Sequence, residues 1–190
     1  MLIGRHAAVL DACVLHPSFL RASLLWLAKE RLFRPLWSDR ILDEWERSVA
    51  RKRPDITAAK LAGHRKAMLT FEDAMVATGS ISLTGLTLPD PNDGHVIKTA
   101  VLGRADAIIT ANLKHFPSAE LAKLGLEAVH PDRFLVNLID LDPVLAISAL
   151  KRQRESMTQS QPSIGIYLNR FERCGLIQTR AKLAEFEELL

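Results

Sequence analysis

Short apolar runs alternate with amphipathic stretches over the first two thirds of the chain. Ala7–Leu10 is apolar at every position, and Ala105–Ile109 and Glu127–Val129 are further short strand candidates. Runs without polar alternation are typical of parallel strands that are covered on both faces. Because helical spacing separates these runs, the pattern predicts an α/β fold with a parallel sheet.

The spacing of apolar residues also predicts the helices between these strands. A Ser38 or Asp39 cap begins the second helix, and Gly103 is placed to end the fourth. The predicted helical stretches are Phe19–Leu27, Ser38–Glu46, Thr57–Val76 (with Leu61, Met68, Leu69 and Phe71 in the core), a helix opened by the turn-rich segment Thr87–Gly94, and Ser118–Leu124.

The pattern changes at Pro131, after which no further strand is predicted. The chain instead has four helical stretches, interrupted by the polar segment Ser156–Pro162. We therefore expect an α/β domain over residues 1–130 and a C-terminal helical extension over residues 131–190. The helical stretches are Asp132–Leu138, Pro143–Arg154, Ile164–Cys174 and Thr179–Leu189.

Composition excludes several classes of protein. With 48% hydrophobic and 25% charged residues, the chain is neither disordered nor fibrous. No apolar stretch reaches the roughly 18 residues of a membrane span, and the N-terminus lacks the organisation of a signal peptide, so we expect a cytoplasmic protein without membrane contact. The two cysteines form no CxxC pair, and no HExxH motif occurs.

The net charge of +3 is compatible with a polyanionic partner, and its distribution is uneven. A solvated helix face and a nucleic-acid contact explain one basic stretch equally well. This stretch has a single acid, Asp55, among seven basic residues: Arg47, Arg51, Lys52, Arg53, Lys60, Arg65 and Lys66.

Candidate chemistry lies where the predicted strands end, because ligands of parallel sheets bind at the carboxyl edge. Asp11 directly follows the first strand, so it belongs either to a site at this edge or to the cap of the next helix. Thr110 and Asn112 follow a later strand at the same edge. Asp106 begins that strand, roughly 13 Å from Thr110, and we expect it to be structural.

Two further pairs of acids have alternative interpretations. Asp90 and Asp93 stand where a helix begins and both suit its cap, but Asp93 also precedes the inward residues of that helix by three and four positions. Glu44 and Glu46 flank the apolar face of their helix at nearly equal angles, so periodicity does not choose between them. Clustered carboxylates favour Mg²⁺ or Mn²⁺, and metal-assisted hydrolysis is the most coherent chemistry for this chain.

Four segments in order resemble the motifs of PIN domains. PIN domains of this size resemble the VapC toxins of bacterial toxin–antitoxin pairs. The resemblance covers about residues 5–130 and implies a PIN-like three-layer α/β/α nuclease domain with a central parallel sheet. The segments are Val9–Leu15, Ser38–Trp45, Asp90–Val96 and Ala105–Phe116.

This resemblance implies an Mg²⁺- or Mn²⁺-dependent endoribonuclease that forms a homodimer and is inhibited by a cognate antitoxin. It assigns metal ligation to Asp11, Glu44 and Asp93, and it selects Glu44 over Glu46. Thr110 and Asn112 would position a ligand, a water or the metal. Many family members have Asp at the position of Asn112, so we expect one firmly held metal and a weak second position at most.

Alternatives remain. They are a housekeeping PIN nuclease without an antitoxin and a PIN-like RNA- or protein-binding module that has lost catalysis. A haloacid-type phosphatase is disfavoured because it needs an acid where this chain has Cys13, and a receiver domain because its early acidic pair and late lysine are absent.

The remaining aromatic and histidine residues have simpler interpretations. We expect Trp26, Trp37 and Trp45 in the core or in dimer contacts. For His95 and His115 we expect polar roles at the surface.

Overall fold

A four-stranded parallel sheet with the strand order β2-β1-β3-β4 forms the centre of the computed structural model. The structure describes residues 6–79, 81–157 and 161–190. Every ladder in the sheet is parallel, which confirms the predicted fold class. The strands are β1 (Ala7–Leu10), β2 (Arg34–Leu36), β3 (Ala107–Ile109) and β4 (Glu127–Val129).

β2, a short strand that contains Pro35, was not predicted from the sequence. Proline cannot donate to a ladder and is confined to edges or strand starts, so its presence argues against a strand. Here β2 is an edge strand that pairs only with β1 in the sheet, and this position tolerates the missing N–H.

Helices cover the sheet and continue beyond it. Ten α-helices lie within the described residues, together with 3₁₀ turns at Pro91–Asp93, Leu113–His115 and Glu187–Leu189. No helix in the described ranges is long and apolar enough to cross a membrane. The α-helices are α1 (Ala12–Leu15), α2 (Ser18–Lys29), α3 (Asp39–Lys52), α4 (Ala58–Met68), α5 (Gly94–Gly103), α6 (Ser118–Ala122), α7 (Pro131–Leu141), α8 (Pro143–Glu155), α9 (Ile164–Arg173) and α10 (Ile177–Ala184).

The prediction of a helix as far as Val76 was wrong, because α4 ends at Met68. Met68 is buried as expected, but Leu69 is 51% exposed and does not belong to the core. Beyond the helix the chain runs back beside Trp37, whose backbone N–H donates to Ala74 and whose carbonyl accepts from Val76. This pairing beside β2 replaces the helical hydrogen bonds that the apolar spacing had suggested.

Gly103 ends α5 as predicted, although its role is in packing and not in the backbone turn. The residue with left-handed backbone is Arg104, with φ of 51°. A Cβ on Gly103 would lie 2.8 Å from the Leu36 side chain and 2.9 Å from that of Val76. Glycine therefore allows α5 to approach β2 closely.

The two largest buried side chains are those of Trp37 and Trp45, which confirms their prediction as core residues. Trp26 is only half-buried, and the Lys29 ammonium lies 4.6 Å from its ring centroid. The tryptophans thus offer no exposed platform for stacking bases.

The C-terminal helices pack against the α/β part without an intervening linker, since His130 alone separates β4 from α7. The buried Asp132 accepts hydrogen bonds from the backbone N–H groups of Gln178 and Thr179, and from the Thr179 hydroxyl, which joins α7 to α10. On the other side, Phe19 of α2 makes an edge-to-face contact with Phe171 of α9. The boundary at residue 130 stays a prediction.

Candidate active site

The carboxyl ends of β1 and β3 place Asp11 beside Thr110. Leu10 pairs with Ile109 across the ladder, so the next residue of each strand lies at the same edge. The Thr110 hydroxyl donates a 2.7 Å hydrogen bond to Asp11 Oδ2, and Asp11 is only 8% exposed. The Asp11 side chain makes no capping bond to α1. Its carboxylate is therefore held by the neighbouring strand, and the capping alternative is not realised.

Cys13 provides a second contact to the same carboxylate oxygen. Its Sγ atom lies 3.0 Å from Asp11 Oδ2 and 3.5 Å from Thr110 Oγ1. Burial, followed by the negative charge of Asp11, raises the pKa of the Cys13 thiol to about 12. The thiol is therefore protonated at neutral pH and acts as a donor to Asp11, not as a nucleophile.

Asp90 and Asp93 have different roles in the geometry of the α5 start. Asp90 Oδ1 accepts the Asn92 backbone N–H at 2.9 Å and caps the 3₁₀ turn. Asp93 makes no capping bond to α5, and its Oδ2 lies 2.9 Å from His115 Nδ1. Burial raises the pKa of Asp93 while contact with His115 lowers it, and the charges of Asp11 and Asp90 raise it further. Asp93 is thus close enough to Asp11 and Asp90 for their negative charges to affect its pKa.

Glu44 contacts a buried histidine. His95 Nε2 lies 3.2 Å from Glu44 Oε2, without the angle of a hydrogen bond, while His95 Nδ1 lies 2.6 Å from the Asn92 carbonyl oxygen. Because a carbonyl only accepts, Nδ1 carries a proton. His95 is 5% exposed, so the predicted surface role was wrong. The histidine instead packs against Glu44 from inside the fold.

The structure separates Glu44 from Glu46, which periodicity could not do. Glu46 Oε2 accepts from Arg65 Nη1 at 2.9 Å, and Arg65 also contacts Asp39 and Asp43. Glu44 has a more distant guanidinium, with Arg40 Nε 3.7 Å from its Oε1. Glu46 therefore belongs to an ion-pair network, whereas Glu44 is oriented towards the start of α5.

Asn112 contributes through its backbone. Its N–H donates to Thr110 Oγ1 at 3.0 Å, so it fixes the hydroxyl that in turn donates to Asp11. Its side chain is exposed.

Asp106 is structural, as expected: its Oδ2 atom accepts the Ala7 N–H at 2.7 Å at the opposite end of β1.

One group of three potential ligands has its atoms within 4.8 Å of one another in the described part of the chain: Asp90, Asp93 and His115. The three carboxylates predicted as metal ligands, Asp11, Glu44 and Asp93, do not meet at this spacing. Asp93 belongs to both sets.

His95 and His115 contact the proposed ligands, a role that was not predicted from the sequence. His95 precedes Thr99 by four residues, and both are buried on the stripe that also holds Val96 and Ala100. Helical periodicity therefore contained the signal for His95, which its polarity obscured. His115 is half-buried and carries no comparable signal, since the 3₁₀ turn that directs it towards Asp93 is irregular.

Comparison with known families shows a match to the PIN domain over residues 7–114, more than half of the 190-residue chain. The chain belongs to the PIN domain family. All five predicted site residues lie inside the matched part of this PIN domain. A second match, to the VapC50 C-terminal domain, covers residues 131–185, which contain α7 to α10.

Among individual proteins, the PIN domain chain is similar to "Putative ribonuclease VapC50" of Mycobacterium tuberculosis (strain ATCC 25618 / H37Rv). The two are 49% identical over 49 residues, which is 26% of this chain and 29% of the relative. The similarity therefore spans less than a third of the relative's length. No solved structure matches the chain.

Proposed function

We propose that this PIN domain protein is a metal-dependent endoribonuclease that hydrolyses RNA phosphodiester bonds. The observation that carries the proposal is the state of Asp11. Its carboxylate is almost fully buried at the carboxyl edge of the sheet, caps no helix, and among the described residues receives only the neutral donors Thr110 and Cys13. A buried carboxylate without a cationic partner in this part of the chain favours a ligand that supplies one.

The donor chemistry at this edge fits a hard divalent cation. Asp11, Glu44 and Asp93 offer carboxylate oxygens, the ligand type that Mg²⁺ and Mn²⁺ prefer, and these three residues would hold the ion. When bound, the cation would lower the pKa of a water and stabilise charge on a phosphodiester. The neutral Asn112 offers no fourth carboxylate, which supports a single firmly held ion.

The chain's own residues orient these ligands. Thr110 fixes one oxygen of Asp11, His115 fixes one oxygen of Asp93, and His95 restricts Glu44 from the interior. Such contacts set the direction of the free carboxylate oxygens before any substrate arrives. Thr110 and Asn112 act together, since the Asn112 N–H holds the threonine hydroxyl.

We further propose that the protein is the toxin of a toxin–antitoxin pair, acts in the cytoplasm as a homodimer and is inhibited by a cognate antitoxin. The support is the succession of a PIN domain and a VapC50 C-terminal domain, together with the name of the similar mycobacterial protein. In this proposal residues 1–130 form the nuclease domain and residues 131–190 its helical extension.

A matched pair of substitutions tests the nuclease assignment. Glu44→Gln and Glu46→Gln remove the same charge from the same helix, but only Glu44 is a proposed ligand. We expect RNA cleavage that requires Mg²⁺ or Mn²⁺ and is lost with EDTA in wild type, near-normal cleavage by Glu46→Gln and strongly reduced cleavage by Glu44→Gln. Equal cleavage by the two variants would refute the ligand assignment, and metal-independent cleavage would refute the proposed chemistry.

The toxin assignment needs a cellular test. Induction of the wild-type chain should arrest growth and create new RNA ends that sequencing detects, whereas Asp11→Asn should do neither. Growth that continues normally while purified protein cleaves RNA would favour an RNA-processing nuclease without an antitoxin.

A further inference from the structure

A cavity of about 240 Å³ opens beside Trp45, the residue that follows the proposed ligand Glu44. We call it the Trp45 pocket. Its walls come from the start of α2, from α3, from α4 and from the residue after α9, so both family-matched parts of the chain contribute. The polar and aromatic lining residues include His16, Phe19, Arg21, Trp45, Arg53 and His64.

Arg21 carries a positive charge that no acid in the described ranges pairs with. The residue is 8% exposed, its Nη1 donates to the Leu15 carbonyl at 2.8 Å, and its guanidinium carbon lies 4.8 Å from the centroid of the Trp45 ring. No described carboxylate lies within 4.0 Å of it. Burial lowers the pKa of Arg21 to about 10. A buried cation of this kind is costly unless an anion accompanies it.

Two polar atoms of the lining residues lack partners. Trp45 Nε1 and His16 Nε2 are both buried and make no hydrogen bond within the described ranges. Neither atom is accessible from the pocket, so the charge of Arg21 is the feature that a ligand would meet.

Other charges around the pocket have the same sign. Burial lowers the pKa of His16, and the positive charges of Lys52, Arg21 and Arg53 lower it further. Burial and then Arg21 and Lys60 do the same for His64. The acid that contacts a lining cation among the described residues is the exposed Asp55, which Arg53 already occupies with bonds of 2.6 and 2.8 Å.

We propose that the Trp45 pocket binds a phosphate group of the RNA substrate, with the Arg21 guanidinium as its counter-charge. The choice of RNA rests on the proposed function. It is favoured over an acidic peptide because two lining residues, Trp45 and His16, follow proposed metal ligands closely along the chain.

On α3, Glu44 directly precedes Trp45, while Asp11 and His16 flank α1, a four-residue helix about 6 Å long. The pocket is therefore close enough to the carboxylates for one RNA strand to reach both.

The three tryptophan indoles allow a direct test by NMR. Protein labelled with ¹⁵N at tryptophan is titrated in EDTA with inorganic phosphate, with a short oligoribonucleotide and with a glutamate peptide of equal charge. We expect a saturable shift of the Trp45 indole resonance, with the oligoribonucleotide binding more tightly than the peptide. Trp37 is the internal control, because its indole is also buried and unpartnered in the described structure but does not line the pocket.

Matched variants identify the charge that matters. Arg21→Met should abolish the shift, whereas Arg51→Met removes an exposed positive charge outside the lining and should retain it. An unchanged Trp37 resonance shows that the Arg21 variant is folded. Loss of one phosphate contact should also reduce the salt slope of oligoribonucleotide binding by about 0.7, the value for single strands. Arg21→Lys, which keeps the charge but loses the paired donors of the guanidinium, should weaken binding at an unchanged slope and provides the readout if Arg21→Met does not fold.

Three results would overturn the proposal. They are no saturable shift of Trp45 with any probe, a shift with inorganic phosphate that the oligoribonucleotide does not reproduce, and tighter binding of the peptide, which would assign the pocket to an acidic protein segment. Binding in EDTA does not depend on cleavage, so failure of the Glu44 and Glu46 comparison leaves this test intact. Metal-dependent cleavage without a Trp45 shift would refute the pocket alone.

Discussion

Helix α3 carries acidic residues of two groups, and only one of these groups is bound at hydrogen-bond distance by a guanidinium of the chain. Asp39, Asp43 and Glu46 all contact the guanidinium of Arg65 at 2.7 to 2.9 Å. We call this the Arg65 cluster. Glu44, on the same helix, is instead a proposed metal ligand together with Asp11 and Asp93, and we call these three the edge carboxylates.

The difference between the two groups lies in their partners. The edge carboxylates receive hydroxyl, thiol and histidine contacts, and the nearest guanidinium is that of Arg40, 3.7 Å from Glu44. Acidic residues that a guanidinium of the chain already binds at hydrogen-bond distance are structural, whereas acids without such a close ion pair can still bind an external cation. A count of carboxylates along the sequence does not make this distinction.

Among the variants, Asp11→Asn should cause the greatest loss of cleavage activity. This change removes a buried negative charge from the edge carboxylates while it keeps the shape of the side chain. We expect cleavage to fall about 100-fold or more, above the range of 10- to 100-fold that is typical of residues behind metal ligands. Initial rates at saturating Mg²⁺ measure the effect. Full activity in this variant would mean that the edge carboxylates are as structural as the Arg65 cluster.

Thr110→Val tests the neutral contacts that distinguish the edge carboxylates. The change removes the hydroxyl that donates to Asp11 at 2.7 Å and accepts from Asn112, with little change in volume. We expect activity to fall about 10- to 100-fold, with part of the loss recovered at high Mg²⁺, because the ligand loses its orientation and not its charge. Thr110→Ser restores the hydroxyl and should recover most of the activity. Similar loss in both variants would contradict the role of the hydrogen bond.

Sequence predicted those parts of the site that the sheet itself determines. Asp11 and Thr110 each follow a buried parallel strand, and strand ends of a parallel sheet meet by necessity. The end of α4 could not be predicted in this way, because the apolar spacing continues through Leu69 while the chain turns back to pair with Trp37. That pairing depends on a distant segment.

The contacts of Glu44 and Glu46 could likewise not be predicted from the sequence. Glu44 and Glu46 flank one face of α3 symmetrically, and only the positions of His95 and Arg65 in space separate them. Arg65 lies on α4, whose packing against α3 has no local signature. The family resemblance selected Glu44, and the geometry supplies a physical reason for that choice.

Arg65→Met tests whether the Arg65 cluster contributes to stability and not to cleavage. The substitution leaves Asp39, Asp43 and Glu46 without their shared cation, and like charges on one helix repel. We expect a loss of about 1 kcal/mol in the free energy of unfolding, because the acids are partly exposed, and no loss of cleavage. Chemical denaturation and initial rates provide the two readouts.

The control is Arg47→Met, since Arg47 is exposed on α3 and bonds only to the backbone of its own helix among the described residues. A drop in cleavage comparable with that of Thr110→Val would show that the Arg65 cluster takes part in catalysis.

The smallest expected effect is in the pH dependence of stability without metal. Burial raises the pKa of Asp93 in the folded protein above its ordinary value of 3.8. Between these two values the folded state binds more protons than the unfolded state, so ionisation of Asp93 lowers stability as pH rises through this range. Below the ordinary pKa the carboxyl is protonated in both states, and the cost disappears.

Asp93→Asn removes this titration. In EDTA the free energy of unfolding of wild type, relative to the variant, should therefore fall as pH rises from the ordinary pKa of 3.8 through the raised pKa of Asp93, and then level off. His115 opposes the trend because its contact with Asp93 lowers the same pKa, so His115→Gln in the wild-type background should enlarge the fall. Urea denaturation at each pH measures the difference. A difference that rises with pH would mean that Asp93 is stabilised as an anion by the protein itself, and would remove the contrast between the two groups of acids.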